Sequence, residues 1–217
     1  MKRPTFSCHA GRAMVVACTA IGAVVASLST ASSAWAGNLA PPPVPGNIQV
    51  PEGNVLFLVG HAFGTQNYVC LPSGAGFAYA LFTPQATLFT HRAKQLTTHF
   101  FSPNPDENGT VRATWQHSRD TSTVWAQLVP GGSSTDPNFV EAGAIAWLLL
   151  QKAGVEEGPG GGDTLTATTF IQRLNTRGGV APADCAGPAD VGKRAFVPYE
   201  ADYFFYRDAA PRQGRDD

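Results

Sequence analysis

From residue 196 to residue 206 the chain alternates. Val197, Tyr199, Ala201 and Tyr203 fall on one face of an extended segment, and Pro198, Glu200 and Asp202 on the other. This period of two predicts a strand with one buried and one wet face. Phe204, Phe205 and Tyr206 are consecutive apolar residues, so this end of the strand is expected to be covered on both sides. The same alternation recurs upstream. Phe77, Tyr79 and Leu81 alternate with Ala78 and Ala80, and Val111, Ala113 and Trp115 with Arg112, Thr114 and Gln116. The continuous apolar run 55–59 reads as a buried strand, Gly60-His61-Ala62-Phe63-Gly64 as a turn, and 66–70 as the returning strand. Shorter strands are expected at 87–89, 96–101 and 124–129, and the β-branched content of 164–171 predicts another. Residues 170–174 read as the end of a strand, punctuated by Thr176-Arg177-Gly178-Gly179.

Turn residues separate these runs. Asn108-Gly109 is a strong hairpin signal. Residues 118–122 turn the chain, 131–138 and 158–162 read as loops, and Pro182 and Pro188 flank Cys185 in a segment too rich in proline and glycine for regular structure. The apolar block 145–152 fits either a strand or two helical turns capped by Gly154. Its shortness and its β surroundings favour the strand. The expected fold class is mainly β: a single-domain antiparallel β-sandwich or barrel-like fold with long loops.

The first 36 residues break this pattern. Lys2, Arg3 and Arg12 precede an apolar, alanine-rich run over 13–28, and Ala34-Trp35-Ala36 is an A-x-A cleavage signal. This is the pattern of a secretory signal peptide with Gly37 as the new N-terminus. Cys18 follows Val15-Val16-Ala17, but too little apolar chain separates it from Arg12 for a lipoprotein signal. No later segment is long and apolar enough to span a membrane. The chain then divides into a proline-rich lead over 37–51, read as a spacer, a β domain over 52–207, and a polar tail over 208–217. The protein is expected to be exported to a periplasm or to the cell exterior.

Charge narrows the partners. All 16 acidic residues follow the signal segment, which removes three of the 15 basic ones. The mature chain is mildly acidic with no basic run, which argues against nucleic acid. A small molecule, a glycan or an envelope protein is the expected partner. Charged residues make up only 14% of the chain, below the roughly 25% of a typical domain, in keeping with many short strands and turns.

Candidate chemistry is sparse. Cys70 and Cys185 are the cysteines left after cleavage, and in an exported protein they read as one disulfide. His61, His91, His99 and His117 stand in no metal-binding spacing, and no cofactor or metal is expected. No nucleophile elbow, phosphate loop or dinucleotide fingerprint is present. Trp115-Gln116-His117-Ser118-Arg119-Asp120 places an aromatic, a base and a carboxylate at one strand end. Asp120 orienting His117 as a general base is the catalytic reading. An aspartate capping its own turn explains the same residues, and is preferred. Arg173 lies in an apolar stretch where a charge needs a partner, with Glu200 or Asp202 as the candidates. Trp115, His117, Arg173, Glu200 and Asp202 form the candidate ligand-binding set. Trp115 and Trp125, with Tyr199 and Tyr203, supply aromatic surface for a flat ligand or for the core, while Trp147 is read as core.

Ile171-Gln172-Arg173, Thr176, Gly178-Gly179, Ala181-Pro182, Cys185, Val197-Pro198-Tyr199, Ala201, Tyr203 and Phe205-Tyr206 together resemble the secreted family catalogued as Domain of Unknown Function 3455. The resemblance extends to Gly64-Thr65-Gln66-Asn67-Tyr68-Val69-Cys70 and to Trp147-Leu148-Leu149-Leu150. It departs at His99-Phe100-Phe101-Ser102-Pro103-Asn104-Pro105, where the family is expected to carry glycine-proline-threonine-tryptophan after the histidine. The resemblance implies a secreted, mostly β domain and no particular activity. The favoured function is therefore an exported ligand- or partner-binding β domain without catalytic activity. The alternatives are a secreted hydrolase using His117 and Asp120 or a carboxylate pair, and a structural envelope or secreted protein.

Overall fold

The computed structural model describes residues 40–209. The segment 1–36 read as a signal peptide, its expected cleavage point, and the tail from 210 onward lie outside the described residues. Eight strands follow one another: β1 (Asn54–Ser73), β2 (Gly76–Phe89), β3 (Gln95–Asn104), β4 (Thr110–His117), β5 (Thr123–Ser134), β6 (Trp147–Glu156), β7 (Thr168–Gly178) and β8 (Arg194–Asp208). Each pairs antiparallel with the next, and β1 also pairs with β8, so the sheet closes into an up-and-down barrel. Closure pairs the outer edges of β1 and β8, which an open sheet would leave exposed. Of the two β architectures expected, the chain adopts the barrel.

The expected turn at 60–64 is not a turn. β1 runs through it without interruption for 20 residues. The glycines there serve close approach: a Cβ on Gly64 would lie 2.2 Å from the Gln85 carbonyl oxygen and 2.5 Å from Ala86 Cα. A strand bent into a small barrel needs such positions. The block 145–152 is strand, as β6, and Gly154 lies within that strand, where a Cβ would meet the Asn104 side chain at 2.5 Å. Other bounds shift as well: the strands expected at 77–81 and 87–89 are one strand, β2; β5 continues through residues read as loop to Ser134; residues 164–167 form a turn before β7; and β7 continues past Leu174 to Gly178, through residues read as its punctuating turn. Asn108, with φ of 54°, and Gly109 make the expected tight turn.

Meander order places the β1–β2, β3–β4, β5–β6 and β7–β8 connections at one end, here the upper end. The remaining connections lie at the lower end. The lower interior is packed solid by Leu88, Trp115, Val124, Ile171 and Phe205, and Leu165 from the β6–β7 connection plugs it. A second apolar cluster lies outside the barrel. Trp147, Leu149, Leu174, Phe204 and Tyr206 face outward and are covered by Val44, Ile48, Val50, Phe139 and Val140. The lead is therefore more than a spacer over 44–50. Ile48 is fully buried, its carbonyl accepts from Gln172 Nε2 at 2.7 Å, and Asn47 Nδ2 donates to Gly131 and Ser133 oxygens. This cover explains why Phe204-Phe205-Tyr206 is apolar on both faces.

Candidate functional site

The upper half of the barrel is hollow. Small residues at inward positions, Ala113 and Ala126 among them, leave a cavity of about 510 Å³ above Trp115 and Leu150, within the size range of small-molecule sites. Phe101, Ile145, Leu148 and Leu150 form apolar walls. Leu81, Val111, Leu128 and Val180 line its rim and are between 40% and 58% exposed. Together these four aliphatic side chains form an exposed apolar ring around one opening.

Two connections shape the rim. The β7–β8 segment is pinned to β1 by a disulfide between Cys70 and Cys185, whose Cα atoms are 5.6 Å apart. Cys70 N donates to the Lys193 oxygen and Gly192 N to the Cys70 oxygen. The Tyr68 hydroxyl donates to the Gly179 carbonyl at 2.6 Å, and Gly179 takes a positive φ of 81° that favours glycine. The β5–β6 segment is held by Ile145 N to the Gly178 oxygen and by Thr176 Oγ1 to the Ile145 oxygen.

The deep wall is polar and carries one cation. His99 stacks on Trp115, with ring centroids 4.1 Å apart and planes within 8°. Its Nδ1–H donates to the Thr114 carbonyl at 2.9 Å; a carbonyl only accepts, so the proton sits on Nδ1 and Nε2 carries a lone pair. Burial lowers the His99 pKa to about 3; the Thr114 hydrogen bond opposes this and the Arg173 charge adds to it. The ring is thus neutral at ordinary pH. Tyr203 meets Trp115 edge-on at 5.3 Å, and its hydroxyl lies 3.3 Å from that of Tyr199. Burial raises the pKa of Tyr68, Tyr199 and Tyr203, while the Arg173 charge pulls each downward. Burial prevails, so all three phenols stay protonated. Arg173 donates from Nε and Nη2 to the Ala146 carbonyl, at 3.2 and 2.8 Å. Trp115 Nε1 and Gln66 Nε2 are buried with no hydrogen-bond partner among the described residues.

The candidate set from the sequence is thus divided. Trp115 and Arg173 meet in the cavity. His117 and Asp120 lie at the lower end, and Glu200 and Asp202 lie outside. Arg173 pairs with neither carboxylate. It sits opposite Tyr203 across the β7–β8 ladder, and cross-strand partners share a face, so it points inward. Asp202 instead accepts from His61 Nδ1 at 2.6 Å and Asn175 Nδ2 at 2.8 Å, and Glu200 lies 3.6 Å from Arg177. Trp125 donates to Ser102 Oγ at 2.8 Å, and Trp147 packs under Phe139. Among the described residues no group of three or more His, Cys, Asp or Glu converges as a metal site would. Sequence reasoning missed His99, Gln66 and Tyr68. The available signal was that each sits inside a predicted strand.

Asp120 is a hub. Its Oδ1 accepts from His117 Nδ1 at 2.8 Å and from Ser122 N and Oγ at 3.0 and 2.7 Å, and its Oδ2 accepts from the Thr164 amide and hydroxyl. Gly158 and Gly162 press against it so closely that a Cβ on either would overlap Asp120. These bonds clamp the β4–β5 turn to the segment that carries Leu165 into the barrel. Burial alone would raise the Asp120 pKa, but the donors of Thr164 and Ser122 outweigh it and hold the carboxyl well below the usual range. A depressed carboxyl stabilises the fold above its unfolded pKa of about 4, and that contribution is lost as pH falls toward the folded value. Asp120→Ala is expected to cost about 1.5–3 kcal/mol at pH 7. Thermal melts of both proteins from pH 7 down to 3 should show the gap narrowing below pH 4. A gap independent of pH would refute the ionised clamp.

A family model described as Protein of unknown function (DUF3455) matches residues 51–207. The chain belongs to the DUF3455 family. The matched range begins just before β1 and ends within β8, so it spans the whole barrel. Gln66, Tyr68, Arg173 and Tyr203, which line the cavity, lie in the segments that carry the resemblance to DUF3455. Neither a curated protein nor a solved structure matches this DUF3455 chain. No helix among the described residues is long and apolar enough to cross a membrane.

Proposed function

We propose that this DUF3455 protein is an exported barrel that binds a small apolar molecule in its upper cavity and does not transform it. The apolar cavity of about 510 Å³, ringed by four exposed aliphatic side chains, carries the reading. The disulfide and the A-x-A signal support export to a periplasm or the cell exterior. The interior histidine is neutral and a weak base, and the phenols beside it stay protonated. Neither is poised for proton transfer near neutral pH. The His117 and Asp120 pair is committed to holding the lower end together.

The test is titration with N-phenyl-1-naphthylamine, a neutral apolar fluorophore. Saturable binding at one site is expected, with quenching of tryptophan emission. Ala113 lines the cavity, and Ala113→Phe should fill it and weaken the probe at least tenfold with a similar melting temperature. Binding that ignores the Phe substitution, or no binding at all, would sink the proposal.

A further inference from the structure

Several donors of the cavity lack a charged or full complement of partners. Arg173 is half-buried, and no carboxylate among the described residues lies within ion-pair distance of it. Two of its nitrogens are tied to one carbonyl oxygen at Ala146, which fixes the guanidinium plane. Nη1, with two N–H donors, meets no carbonyl or carboxylate among the described residues, and the Tyr203 hydroxyl beside the guanidinium is a neutral acceptor. Trp115 Nε1, on a residue with no exposure, and Gln66 Nε2, on a residue 2% exposed, are buried donors without a hydrogen bond of good geometry among the described residues, Gln66 having the Tyr199 hydroxyl as its neighbour. Native proteins satisfy nearly all such groups, so each needs an explanation. A lone charge in an apolar lumen is costly unless paired. The acceptors nearby, the His99 lone pair and the Tyr199 and Tyr203 hydroxyls, are neutral groups that cannot neutralise a cation.

One chemical group answers all of these at once. A carboxylate supplies about four lone-pair sites and a single negative charge, and a guanidinium fork binds it better than any neutral acceptor does. The walls above it are largely apolar, and the other arginine of the lining, Arg112, is paired with Glu107, so the complement is a single carboxylate on an apolar body. The volume of about 510 Å³ equals roughly 17 waters, room for a medium-chain or aromatic acid. We infer that the DUF3455 barrel binds an apolar monocarboxylate, its head group at Arg173 with Gln66 and Trp115 as neutral donors and its apolar body toward the rim. This rests on the cavity being the binding site.

The experiment displaces N-phenyl-1-naphthylamine from the purified protein with three ligands of equal chain length: decanoate, 1-decanol and decylamine. Decanoate should compete at least tenfold better than 1-decanol, and decylamine worst. Arg173→Gln keeps an N–H for the Ala146 carbonyl but removes the charge. It should retain the neutral probe and lose the preference for the acid. Gln66→Leu, which leaves the charge in place, should reduce that preference without abolishing it, and stands as the second variant if the first does not fold. Equal displacement by acid and alcohol, or an acid preference that survives in Arg173→Gln, would overturn the carboxylate assignment while leaving the cavity reading intact. A wild-type protein that binds neither the probe nor decanoate would overturn both.

Discussion

Replacing Cys70 and Cys185 together with serine is expected to lower the unfolding free energy by about 4–5 kcal/mol on the chain-entropy argument. The bridge spans a sequence separation of 115 residues, so its loss restores a long loop to the unfolded ensemble. For a domain of this size the melting temperature should fall by about 8–20 °C. A second consequence is local. The bridge holds the β7–β8 segment whose Val180 and Ala181 line the cavity rim. The double variant should therefore bind the neutral probe more weakly even at temperatures where it is fully folded. Circular dichroism melts with and without reductant, paired with probe titration at 15 °C, separate the two effects. An unchanged melting temperature would show that the bridge constrains little. A lower melting temperature with unchanged affinity would show that the rim does not depend on it.

Trp115→Ala is the other large effect. Trp115 is fully buried and is the centre of the barrel's aromatic packing, in contact with His99, Tyr203 and Phe205. It separates the packed lower interior from the hollow upper one. Truncation removes that floor and should destabilise by about 3–5 kcal/mol. Trp115→Phe should cost far less than the alanine variant. Nε1 has no partner among the described residues, so no hydrogen bond to them is lost with it, and the smaller ring keeps most of the packing. Chemical denaturation of the three proteins measures this directly. A phenylalanine variant as unstable as the alanine one would mean that Nε1 holds a bond, for instance through an ordered water, rather than waiting for a ligand.

The sequence alone was enough to predict most of the strands. Period-two alternation in β4 and β8, and the turn residues at Asn108-Gly109, act between near neighbours, and near neighbours are what a sequence displays. The disulfide was legible for a simpler reason, since the two cysteines beyond the segment read as a signal peptide have one pairing. The fully apolar end of β8 correctly implied cover on both sides, but not that Ile48 from the lead supplies it. The glycines of β1 read as a turn because glycine permits both a turn and a close approach; only the neighbouring strand at Gln85 and Ala86 distinguishes them.

The site was not legible, and Arg173 shows why. Its neighbours Ile171, Gln172 and Leu174 are all buried, because the inner face of β7 meets the barrel core and the outer face meets the lead. Alternation then carries no sign of which face is inward. That sign comes from register, Arg173 against Tyr203 and Leu174 against Asp202. Register is altered by bulges, such as those between Asn67 and Tyr68 and between Leu174 and Arg177, and one added residue reverses every side chain beyond it. Gln66, His99, Trp115, Arg173 and Tyr203 come from five strands. Each strand was largely dictated by local sequence; the pocket they share exists only because the barrel closes and turns the same face of each strand inward.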